Sequence, residues 1–134
     1  MTISLVISSR TAFDVDLVSA ALGVPPTKIW RRRENLVVHG PDTIPMISWI
    51  FERDDETEVL PAKAICDLLD PFNERAAQLT SIARTLALET TVVCRTKSRD
   101  LEQEIDLPSS VLARLVQFGA GIVWSMEYEG DGPR

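Results

Sequence analysis

Trp30, Arg31, Arg32 and Arg33 follow one another in the chain, and no other stretch concentrates residue types suited to recognition chemistry so closely. Guanidiniums donate paired hydrogen bonds to phosphates and carboxylates and stack on aromatic rings. The segment therefore suits an oxyanion or an acidic protein patch. The competing reading is structural, with the indole packed under a sheet edge and the arginines solvated or paired with the surplus acids. His39, the single histidine, lies between Val38 and Gly40 in the same irregular region. It reads as a loop histidine or, given a carboxylate partner, as a general base. The candidate binding residues are thus Trp30, Arg31, Arg32, Arg33 and His39.

Other chemistries find little footing. One histidine cannot make a metal site alone, and the sequence has no Walker loop, GxGxxG, HExxH or Cys/His spacing of the zinc type. Asp54/Asp55 and Glu102/Glu104 are paired carboxylates, but they sit in charged loops without the low-dielectric pocket that splits two acid pKa values. Cys66 and Cys94 have apolar neighbours and no CxxC partner, so both are expected as buried free thiols. No catalytic residue, metal or cofactor is assigned.

A chain of 134 residues fits one domain with one core, and 45% hydrophobic residues suffice to build it. The apolar start, Met1 to Ile7, has no basic leader or cleavage site, and no apolar run approaches ~18 residues. A cytoplasmic protein without a membrane span is expected. Lys+Arg 14 against Asp+Glu 20 gives a net charge of -6, which repels nucleic-acid phosphates and favours basic partners.

The elements that must position these residues follow from periodicity. Thr2 to Ser8 reads as a buried strand, and Asp14 caps a short helix that Gly23 ends, with Leu17, Val18, Ala21 and Leu22 as its apolar stripe. Thr27 to Pro45 reads as irregular, around a short extended piece at Asn35 to Val38. Ile44 to Glu52 reads as a central strand, with Ile47, Trp49 and Phe51 on one face. Val59 to Ala87 is expected to be one long helical arm kinked at Pro71, with Asp70 as the cap of its second half. Thr90 to Thr96 is strand-like, and Glu104 to Leu107 is a candidate edge strand. Pro108 opens a helix with the stripe Val111, Leu112, Leu115 and Val116, closed by Gly119. A last strand alternates Ile122, Trp124, Met126 and Tyr128 with more polar residues, and residues 130–134 form a frayed tail. The expected fold is a single α+β domain over 1–134: a four- or five-stranded mixed or antiparallel sheet with helices on one face. A ferredoxin-like arrangement fits, with strand-helix-strand occurring twice around the helical arm as a weak pseudo-repeat.

Leu22-Gly23-Val24-Pro25-Pro26-Thr27, followed by Trp30 and the arginines, resembles the motif of a family of small bacterial proteins catalogued as domain of unknown function 4279. The Trp49 strand, Leu68-Leu69-Asp70-Pro71, the Cys94 strand and the helix start from Leu107 to Leu112 agree with it. The family has a basic residue and glycine after its tryptophan, where this chain has Arg32, Arg33 and Glu34. The resemblance spans almost the whole chain and implies a fold, but no activity, cofactor or catalytic residue. A non-enzymatic interaction module is therefore the leading expectation, one form being immunity-protein-like binding of a basic protein. The alternative is a small-molecule or anion-binding protein, conceivably an enzyme, with a pocket built by the Trp30 loop, His39 and the Trp49 strand.

Overall fold

Ile3, Leu5 and Ile7 alternate with Ser4, Val6 and Ser8, and in strand β1 (Thr2–Ser9) this alternation sorts the apolar residues onto one side. The computed structural model describes residues 1–32, 45–54, 60–98 and 105–128. Within them β1 is the centre of a five-stranded sheet in the order β2-β3-β1-β4-β5, the others being β2 (Lys28–Arg31), β3 (Ile47–Asp54), β4 (Glu89–Ser98) and β5 (Ala120–Tyr128). β1 runs antiparallel to β3 and β4, β2 runs antiparallel to β3, and β5 runs parallel to β4. The fold is α+β with a mixed sheet, as the sequence predicts.

Four helices accompany it: α1 (Val15–Leu22), α2 (Pro61–Leu69), α3 (Ala76–Leu86) and α4 (Ser109–Gln117). Register puts Ile3 beside Cys94, Leu5 beside Phe51 and Val92, and Ile7 beside Trp49, so these share one face. All four helices send their buried residues into one cluster with that face, including Val18, Leu68, Leu79 and Leu115. Trp49 is fully buried there, and its Nε1 donates to Ser19 Oγ of α1 at 3.0 Å, so the indole N–H is not orphaned. Phe51 meets Phe72 edge-on at 5.2 Å and anchors the turn between α2 and α3 to the sheet.

Local signals explain most boundaries. The Asp14 carboxylate accepts from the Asp16 N–H at 3.0 Å, and Gly23 closes α1 in the left-handed region at φ 75°. Pro61 occupies the first turn of α2, where its missing N–H costs no bond. Gly119, at φ 64°, follows α4.

Several expectations need correction. The helical arm is not one bent helix: α2 gives way to a 3-10 turn over Asp70–Arg75, and α3 follows. Pro71 removes the donor that an uninterrupted α-helix requires. Asp70 makes no capping bond; its carboxylate pairs with Arg114 at 2.8 Å. Residues 105–107 are not a strand, and Lys28–Arg31, expected to be irregular, is one. The α1 stripe narrows to Val18 and Leu22, with Leu17 44% exposed. In α4 Val111 and Leu115 are buried whereas Leu112 and Val116 are exposed, because Phe118 completes the buried stripe instead. Asn35 to Val38, Glu102, Glu104 and the tail lie outside the described residues.

Candidate functional site

Thr27 decides where the Trp30 segment lies. Its N–H donates to Ile50 O at 2.8 Å, its Oγ1 donates to the same carbonyl, and Oγ1 accepts from the Glu52 N–H at 2.9 Å. Pro25 and Pro26 prevent α1 from continuing, so the chain reaches this triple attachment already extended and pairs with β3. Lys28 then lies opposite Ile50, Ile29 opposite Trp49, Trp30 opposite Ser48 and Arg31 opposite Ile47.

Cross-strand partners share a face, so Trp30 lies on the side of the sheet away from the helices. It stands opposite Ser48, and Ser48 opposite Ser8. The next row reads Lys28, Ile50, Val6, Thr91 and Gly121, and beyond it come Glu52, Ser4, Val93 and Val123. Among the described residues no helix covers this face. Trp30 is 42% exposed and Val123 50% exposed on it, whereas Ser4 and Ser48 are buried between larger neighbours.

The predicted clamp is divided by this geometry. Arg31 shares the face of Ile29 and Ile47, opposite to Trp30. Arg32 follows the strand with its N–H donating to Met46 O at 2.8 Å, and the alternation returns it to the Trp30 side. Arg33 and His39 lie outside the described residues. Lys28, which the sequence reading passed over, joins Trp30 on the open face and pairs with Glu52 at 3.1 Å. The signal for it was available: once Lys28 to Arg31 is a strand, a period of two groups Lys28 with Trp30.

Two concavities border the open face. Near the Trp30 row, Ser8, Ser9, Arg10, Thr11, Pro45 and Glu89 line a hollow of about 500 Å³. At the opposite end Thr2, Asp54, Arg95, Lys97, Ser125 and Glu127 line one of about 440 Å³, where Thr2 Oγ1 donates to Asp54 Oδ1 at 3.3 Å. A third hollow, on the helical side, is an apolar groove between α1 and α3, lined by Leu17, Ala20, Ala21, Ile82 and Leu86.

Of the two free thiols Cys66 is half-buried and Cys94 buried. Burial pushes the Cys94 thiol up to about 11, which keeps it protonated and unreactive at neutral pH. Among the described residues no three His, Cys, Asp or Glu side chains converge to hold a metal ion, and no helix is long and apolar enough to cross a membrane.

Neither a curated protein nor a solved structure matches the chain. Residues 1–129 match the family described as Domain of unknown function (DUF4279), and on that near-complete match the chain belongs to it.

Proposed function

We propose that this chain is a non-enzymatic interaction module that binds a partner protein through the helix-free face of its sheet, with Trp30 as the anchor. The observation that carries this reading is the exposure of Trp30, 42% on a face that no described helix covers. A tryptophan held on a hydrogen-bonded strand loses little conformational entropy on contact, and tryptophan and arginine dominate the energetic centres of protein interfaces. Around it Ile50, Val6 and Val93 give apolar area, while Lys28 and Glu52 supply polar contacts at the rim.

The net charge of -6 favours a basic partner through long-range steering. Small acidic proteins that neutralise basic toxins are the nearest analogy in kind. The alternative pocket of Trp30, His39 and the Trp49 strand is weakened, since the Trp49 side chain is buried on the opposite face.

The test is a comparative capture experiment from extracts of the native host with wild-type and Trp30→Ala protein. Trp30→Ala is expected to weaken the dominant interaction at least tenfold, as truncating an interface anchor costs about 2 kcal/mol. Its thermal melt should stay unchanged. Equal capture by both proteins refutes the anchor role.

A further inference from the structure

The two edges of the sheet are guarded differently. β2 is four residues long, follows Pro25 and Pro26, and carries Lys28 and Arg31. Shortness, proline and charge all discourage the addition of another strand. β5 has none of these protections along most of its length. It spans nine residues, pairs among the described residues with β4 alone, and contains neither charge nor proline from Ala120 to Met126.

An apolar strip runs beside this edge. Arg114 of α4 reaches toward the α2 side, bonding Asp70 at 2.8 Å and the Asn73 Oδ1 at 2.6 Å. At about 100° per residue, Leu112 and Val116 fall on the opposite flank of α4. Since α2 packs on β1 and α4 on β5, that flank overlooks the free side of β5. Leu112 is 47% exposed and Val116 78%, and Ile122, on the helix-side face of β5, is 37% exposed.

We infer that β5 pairs antiparallel with β5 of a second copy of this chain, joining two sheets edge to edge with the two α4 helices meeting over the seam. The occupant of this surface must bring an unpaired strand edge, an adjoining apolar helix flank and no opposing charge. A second copy brings all three by symmetry, in the isologous contact of a two-fold dimer. Charge selects the direction of pairing. Glu127 is the one charged residue of β5 and lies near its C-terminal end. Antiparallel pairing sends its two copies to opposite ends of the seam, whereas parallel pairing in register sets like charges side by side. In the resulting dimer both helix-free faces lie on the same side, with the two Trp30 residues at the outer edges. The inference does not depend on what Trp30 binds.

Sedimentation equilibrium of the purified chain over a concentration series tests it. The expected mass is twice the 14.9 kDa of the chain, with a melting temperature that rises with protein concentration. Val116→Glu, at a site too exposed to disturb the fold, brings two carboxylates to an apolar seam and should weaken association at least tenfold. Val123→Lys, on the other face of β5, should do the same, and Trp30→Ala at the far edge should leave the mass unchanged. A wild-type chain that stays monomeric throughout the series overturns the inference. So does undiminished dimerisation of both β5-side variants.

Discussion

The three tryptophans are in three different physical situations, and each predicts its own mutational response. Trp49 is fully buried with its N–H satisfied by Ser19, so Trp49→Ala should cost about 3–5 kcal/mol in chemical denaturation. A loss below about 1 kcal/mol would contradict its place in the core. Trp124 is half-buried, and its buried Nε1 finds no hydrogen-bond partner among the described residues. Trp124→Phe removes that unsatisfied donor, so it should cost less than Trp49→Phe, which breaks a bond that is made. Cys94 gives a pH signature. Burial raises its thiol from 9.0 to about 11, so the folded state retains a proton that the unfolded state releases. Stability should be level below pH 9 and fall as pH rises from 9 towards 11, and Cys94→Ala should flatten that slope in denaturation titrations. Two thiols should titrate in the unfolded chain, and Cys66 should react first in the folded one.

Element ends supply a pair of predictions of opposite sign. Gly23 holds φ 75° beside the Arg75 guanidinium, so Gly23→Ala should destabilise by about 1 kcal/mol. Ala87 closes α3 at φ 54°, where a side chain is strained, so Ala87→Gly should be neutral or stabilising by up to about 1 kcal/mol, read from the shift in thermal midpoint. The same distinction explains what was legible in the sequence. Asp14, Gly23, Pro61 and Gly119 act within a few residues of themselves, and the helix ends they mark lie where they were expected. The alternation of Ile47, Trp49 and Phe51 is likewise local and was read correctly. β2 escaped because it is too short for periodicity to register; it exists through pairing with β3 and the attachment of Thr27 to Ile50 and Glu52, partners more than twenty positions away. The stripes of α1 and α4 were read too wide for a related reason. Periodicity groups Leu112 and Val116 with Val111 and Leu115, yet only tertiary packing decides that Phe118 fills the core and leaves those two outside. The Trp30 segment was singled out by composition, but its division between two faces follows from strand geometry alone. Arg31→Gln should accordingly leave binding through the Trp30 face unchanged in a capture experiment.

At the scale of the molecule, the sheet separates folding from recognition. One face collects the buried residues of all four helices; the other presents Trp30, Ile50, Val6, Val93 and Val123 with no described helix upon them. Mutations on the first face should be read out in stability and mutations on the second in binding. The most direct measurement is quantitative capture of the host partner by wild-type protein, by Trp30→Ala and by Leu17→Ser, which changes an exposed apolar residue on the helical side. All three are expected to melt together. Trp30→Ala should lose the partner while Leu17→Ser retains it at wild-type affinity. Retention by Trp30→Ala with loss by Leu17→Ser would contradict the account and move the binding surface to the groove between α1 and α3.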